Sequence, residues 1–477
     1  MKFTSLSFLL FFFLVYCIHW ALRGKFRIGF LLIASILFYA AWSVPFAFHF
    51  LGLVAFNHFA NKQILKNKGS FWFYLILLLN FGNLFLFKYF YFVWETVFLI
   101  TASPVFAKDV LESFLSNQFG FASITLPLAI SFYSFQMIAY NIDVKRGEAE
   151  ENPNFAEFAL FIFFFPQLVA GPIVRHGEFF HQLGQWNLKR EQAYQGTFLI
   201  FLGLLKKVVL ADNIALVIDP IFRNPDQYDA VSNFAAYFGY SCRVFCDFSG
   251  YTDLARGLGK LLGIELPENF RAPFLSKSVS ELWTRWHMTL ASWIKDYIYI
   301  PLGGSRVGEL RSYFNLLLMF ALTGLWHGAN FTFIIWGLIQ GFFLCLERKW
   351  KLMQITIFKQ SNVWTERTQS ILGVVYSFTV FSLAAAFFNA PNVKNGWSLW
   401  VNSLTGHSGQ RTPKLELLLY SLVITFLLNY LQEKPLFPKE AWSNQKSFFF
   451  LFGFGFLAIV LLGYLSPGGT EFIYFQF

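Results

Sequence analysis

The chain has 477 residues, of which 56% are hydrophobic and 13% charged, with a formal net charge of +10. Soluble domains carry roughly 25% charged residues, so a water-soluble globular enzyme is excluded and a membrane-embedded chain is expected. With 66 Phe, 15 Trp and 20 Tyr, much ring surface must face lipid or a buried core, and the basic excess fits cytoplasmic loops rather than nucleic acid, because no Lys/Arg run is interleaved with aromatics.

Apolar runs recur at 4–22, 28–44, 46–60, 71–92 and 121–142. At about 1.5 Å per residue each can cross most of a roughly 30 Å hydrocarbon layer. Only Lys2 precedes the first run, and Arg23, Lys25 and Arg27 follow it. A cleaved signal peptide has the reverse pattern, so this run is expected to stay as a span. Lys62, Lys66 and Lys68 follow the third run, and Lys145 and Arg146 the fifth. The positive-inside rule makes these loops cytoplasmic and the N-terminus extracytoplasmic. Further on, Arg348, Lys349, Lys351 and Lys359 mark another cytoplasmic loop, followed by a run at 369–389 and an outside polar segment at 391–413. A run at 415–431 returns to Lys434, Lys439 and Lys446, and a last run at 447–465 leaves the C-terminus outside.

Between 150 and 347 the pattern breaks into shorter runs interrupted by Pro166, Pro172, Pro220, Pro267, Pro273 and Pro301. Broken backbone at membrane depth is tolerated only where it is buried in protein or lines a cavity, so function is expected here. The expected fold is an all-α polytopic membrane bundle of about 11–13 membrane segments with broken or re-entrant helices. It is read as one membrane domain, with N-terminal spans in 1–149, a catalytic core in 150–347, C-terminal spans in 348–466 and an aromatic tail in 467–477.

Segment 243–311 gathers Asp247, Asp253, Arg256, Lys260, Arg271, Glu281, Arg285, Lys295 and Asp296 among rings and glycines. Ionisable groups near a bilayer are costly and usually pair or face an aqueous cavity. Asp253 and Arg256, three apart on a helix, are expected to form a structural ion pair, and Asp247 is grouped with them as a structural polar residue.

His287 lies in the run Trp283 to Met288, and His327 follows Trp326 in an apolar stretch without formal charge. A neutral imidazole in such a place can accept a proton as a general base, or it can simply pack and bond a backbone carbonyl; spacing leaves both readings open. His19, His49 and His58 read as structural, and His176, His181 and His407 as solvated. Cys17, Cys242, Cys246 and Cys345 show no disulfide spacing, and no metal site is expected. Nucleophile-elbow, P-loop, zinc-protease and dinucleotide motifs are missing from the sequence.

Five ordered blocks, Asp247 to Gly257, Asn269 to Phe274, Trp283 to His287, Trp293 to Gly304 and Thr323 to Ala329, closely resemble the membrane-bound O-acyltransferase family in its bacterial alginate O-acetyltransferase-like branch. Pro166 to Ile173 also fits. The resemblance implies acyl transfer from a thioester to a hydroxyl within a central tunnel, at a bacterial inner membrane. Its invariant histidine falls on His327, implying a general base, and its second polar position on His287, implying a group that stabilises the oxyanion or holds the thioester carbonyl.

Arg285, Trp286, Lys295, Asp296 and Trp326 become candidates for shaping the tunnel or the donor's route. No bound cofactor is expected. The implied donor is acetyl-CoA, or an acyl carrier protein, on the cytoplasmic side. The implied acceptor side holds a polysaccharide and an SGNH-type acetyltransferase or esterase partner. The tail ending Tyr474-Phe475-Gln476-Phe477 resembles that of alginate-type relatives, and Tyr474 is either an acyl relay or an interfacial anchor. Competing readings are D-alanyl or other acyl transfer to a cell-wall polymer, a transporter or polymer channel, and a scaffold subunit.

Overall fold

The computed structural model describes residues 3–67, 70–103, 108–119, 124–149, 153–357, 363–434 and 453. Among them every regular element is helical, apart from an isolated bridge between Tyr228 and Gln410. That is the all-α membrane architecture expected, because within lipid the backbone must satisfy its own hydrogen bonds. Among the described residues, Ser70–Thr101, Phe331–Trp350, Glu366–Phe388 and Leu415–Glu433 are long and apolar enough to cross a membrane, and Leu6–Ala21 is a shorter apolar helix. The run at 447–465 and the tail with Tyr474 lie outside the described residues.

The chain divides between Trp186 and Asn187 into two compact units. In the first, Leu6–Ala21 turns at Gly24, whose φ is +55°, into Lys25–Ala40. The fifth run begins later than its hydropathy suggests, as the helix Ile130–Arg146. Pro127 disfavours helix in the residue before it, and its carbonyl accepts from the Ile130 N–H.

Ile130–Arg146 is buried along nearly its whole length. Its Asn141 accepts from Asn61 at 2.8 Å and donates to Asn57 at 2.9 Å, while Asn80 donates to Asn57 at 2.9 Å. These amides tie helices together where apolar contact gives no advantage over lipid. At Phe164 the helix Phe155–Phe163 breaks, and the amides of Gln136 and Gln167 both donate to the Phe161 carbonyl, at 2.9 and 2.7 Å. His19 is buried between the Trp20 and Trp186 rings. His176, expected in solvent, is instead largely buried 3.5 Å from Asp143, because the short helix His176–Phe179 folds it onto the Ile130–Arg146 helix.

The second unit is built on Ala230–Leu261, a 32-residue helix capped by the Asp229 side chain. It packs backbone to backbone against Arg190–Leu204, where a Cβ on Gly203 would collide with the Gly250 carbonyl. Beyond Leu204 the chain widens into a π-helical turn, 205–211, before Asp212–Arg223. After Leu261 it enters the broken region: Val279–Arg285, Met288–Ile294, a π turn at 295–299, then Glu309–His327 and Phe331–Ile357. The last two cross closely, since a Cβ on Gly324 would run into the Phe333 carbonyl. The polar segment at 391–413 contains a short helix, Val393–Leu404, whose first turn Asn392 caps.

Candidate active site

His327 is the last residue of the Glu309–His327 helix, and Gly328 breaks the chain immediately after it. The imidazole is buried in an aromatic box, with ring centroids 4.9 Å from Trp326, 5.1 Å from Trp336 and 5.0 Å from Phe388. His287 sits at the break between Val279–Arg285 and Met288–Ile294 with φ at 44°, a left-handed conformation that costs a non-glycine residue about 1–3 kcal/mol. Asn269 holds this break: its carbonyl accepts from the Met288 N–H at 3.0 Å.

The Asn269 side chain also decides which tautomer His287 adopts. Its Oδ1 accepts from the Thr289 N–H at 3.1 Å and the Thr289 hydroxyl at 3.0 Å, and lies 3.2 Å from His287 Nδ1. A backbone N–H can only donate, so the amide atom facing it is oxygen, and His287 must carry its hydrogen on Nδ1. In the neutral ring Nε2 is then a lone pair. That atom is buried and has no hydrogen-bond partner among the described residues. A neutral His287 therefore accepts rather than donates at Nε2, and it can bond a carbonyl or an oxyanion only when doubly protonated.

Asn269→Leu is expected to strand the Thr289 and His287 donors, at about 1–3 kcal/mol for each buried group, lowering both thermal stability and turnover. Asn269→Asp keeps an acceptor oxygen and should recover part of the turnover. Equal loss in the two variants, measured as thiol release and by thermal unfolding, would contradict the acceptor role.

The histidines face different spaces. A cavity of about 460 Å³ is lined by His287, Trp283, Thr284, Lys295, Tyr299 and Phe320, among others. His327 lines a separate chamber of about 10 Å³ with Tyr240, Trp286, Trp336, Phe381 and Phe388, room for roughly one water-sized group. The Trp326 ring contacts both imidazoles, 5.8 Å from His287 and 4.9 Å from His327. Beyond His327, residues 328–330 with Asp219, Arg223, Thr332 and Asn389 line a third, polar cavity of about 510 Å³.

The other sequence candidates divide clearly. Trp286 is buried in the His327 chamber, and Lys295 lines the cavity that His287 faces. Arg285 is engaged in ion pairs, 2.9 Å from Glu281 and 2.8 Å from Glu433. Asp296 is half-buried and lines none of the cavities described above. The expected Asp253–Arg256 pair is only marginal, at 4.0 Å. Lys206 takes Asp253 at 2.7 Å, while Lys207 reaches Asp212 at 2.8 Å and Asp247 at 2.5 Å. The 205–211 π turn presents both adjacent lysines to the Ala230–Leu261 helix. Sequence reasoning missed them, although two adjacent ammonium groups in an apolar stretch were a usable signal. Asp219 and Asn269 were missed as well. Asp219 pairs with the buried Arg243 and accepts from Asn389 at 3.4 Å.

The family model described as the membrane-bound O-acyltransferase family matches residues 145–389, which include both histidines. The chain is similar to a probable alginate O-acetylase of Pseudomonas aeruginosa, 34% identical over 84% of this chain and 74% of the relative. It is similar to a peptidoglycan O-acetyltransferase of Helicobacter pylori, 32% identical over 94% of this chain and 91% of the relative. Similarity extends to a teichoic acid D-alanyltransferase of Bacillus subtilis, 30% identical over 57% of this chain and 73% of the relative. A helical membrane protein with buried imidazoles at broken helix ends, matched by this family across half its length, belongs to the membrane-bound O-acyltransferase family and is an O-acyltransferase.

Proposed function

We propose that the enzyme passes an acetyl group from a cytoplasmic thioester toward hydroxyls of an extracytoplasmic polysaccharide or cell-wall polymer, with His327 as general base. The observation that carries this reading is the burial of His327 at a helix end, in a hydroxyl-sized chamber walled by aromatic rings. In the reaction, imidazole takes the proton of the acceptor hydroxyl as its oxygen bonds to the acyl carbon. The C–S bond then breaks, and the thiolate recovers a proton from the imidazolium, leaving an ester and a free thiol.

Lys295 suits a mouth that receives the phosphates of acetyl-CoA or the acidic surface of an acyl carrier protein. The His287 lone pair suits an amide N–H of the pantetheine arm carried by either donor. When doubly protonated, His287 can instead hold the thioester carbonyl. The charge pattern of the loops favours both termini on the extracytoplasmic side, and the resemblance to bacterial relatives favours an inner membrane. On that side an SGNH-type acetyltransferase partner would receive the group, with Tyr474 as the carrier between them. The similarity to a teichoic acid D-alanyltransferase makes D-alanyl transfer the second reading.

Purified enzyme in lipid nanodiscs should turn over acetyl-CoA or acetylated carrier protein, read as thiol release, only when acceptor polymer and the SGNH-type partner are present, and a deletion strain should lose acetyl esters from its surface polymer. Thiol release from a D-alanyl carrier alone favours the second reading. No release from any of these donors overturns both.

A further inference from the structure

One residue lining the chamber around His327 carries a polar group that no role so far uses. Tyr240, on the Ala230–Leu261 helix, lines that chamber and is 1% exposed. Its ring is fixed on several sides, 5.6 Å from Phe222 and 6.0 Å from Phe388, with the Arg243 guanidinium 5.9 Å from its centre. Its hydroxyl has no hydrogen-bond partner among the described residues. A buried unpaired hydroxyl costs about 1–3 kcal/mol, which a phenylalanine of nearly the same shape would avoid. Such a group is explained when it bonds something that visits the chamber.

The reaction needs such a donor. As the acceptor oxygen adds to the acyl carbon, the carbonyl oxygen becomes an oxyanion within bonding distance of the same chamber. The neutral His287 has its hydrogen committed to Asn269 and faces the other cavity. We propose that the Tyr240 hydroxyl is a catalytic oxyanion donor, hydrogen-bonding the acyl carbonyl oxygen while His327 deprotonates the acceptor hydroxyl. The phenol keeps its proton throughout, so no further reactant is required. The inference rests on the His327 reading above.

The test compares wild type, Tyr240→Phe and His327→Ala in nanodiscs, reading thermal unfolding and thiol release from acetyl-CoA with acceptor polymer and the SGNH-type partner present. Tyr240→Phe is expected to lower kcat by about 10²–10³-fold, the effect of removing one preorganised oxyanion donor. KM for acetyl-CoA should stay within about twofold, since that hydrogen bond strengthens only as charge develops. The melting temperature should hold or rise, because packing is kept and an orphaned hydroxyl removed. Wild-type kcat in Tyr240→Phe, in a series where His327→Ala is inactive, overturns the oxyanion role and leaves the base intact. A lower melting temperature with KM raised and kcat unchanged also overturns it, making Tyr240 a packing residue. Full activity in His327→Ala removes the base reading, and the inference with it.

Discussion

His327→Ala is expected to lower acyl transfer by about 10²–10⁴-fold, the range a positioned general base supplies. Binding of the donor should change little, because the imidazole lines the small chamber rather than the cavity of about 460 Å³ lined by Lys295. The helix should also survive, since His327 is its terminal residue and makes no turn beyond Gly328. Thiol release in nanodiscs measures the first effect, acetyl-CoA binding the second and thermal unfolding the third. A melting temperature many degrees lower, with a proportionate loss of folded protein, would instead make His327 a packing residue of its aromatic box. Residual turnover at the wild-type rate would move the base elsewhere.

The second large effect is on stability. Lys207→Met removes the cation that Asp212 and Asp247 share in the second unit, where all three side chains are less than a tenth exposed. Breaking a buried ion pair from one side leaves an uncompensated charge and costs about 3–5 kcal/mol. Lys206→Met should cost less, because Asp253 retains Arg256 at 4.0 Å. The triple replacement Lys207→Met, Asp212→Asn and Asp247→Asn should regain much of the loss, since no carboxylate is then stranded. Denaturant or thermal unfolding in detergent checks all three. Equal stability of Lys207→Met and wild type would show that the ion pairs contribute nothing net.

The sequence revealed the class of fold and the region of the site because both depend on local signals. Hydropathy runs located the long apolar helices on either side of the broken region, and Asn269, Trp283 to His287 and Trp326-His327 lie in dense motif blocks. Pairing across helices was not legible. Asp253 was matched with Arg256 because spacing along one helix is visible in a sequence, whereas Lys206 is 47 positions away and reaches it only through the π turn. For the same reason, nothing in the spacing showed that Trp326 contacts both histidines, or that Tyr240 and His327 line one chamber. The tautomer of His287 depends on the Thr289 N–H, a backbone group with no side-chain signature. The His176 contact with Asp143 escaped because a four-residue helix leaves almost no periodicity to read.

The smallness of the His327 chamber has a consequence for the membrane itself. A bilayer that stores an electrochemical gradient cannot contain an enzyme with an open water file running through it, because protons would leak along the chain of hydrogen bonds. At about 10 Å³, walled by Trp286, Trp336, Phe381 and Phe388, this chamber has no room for such a file. The aromatic excess of the chain thus includes an insulator. With His327 as the proposed base, the group that reaches it must be small.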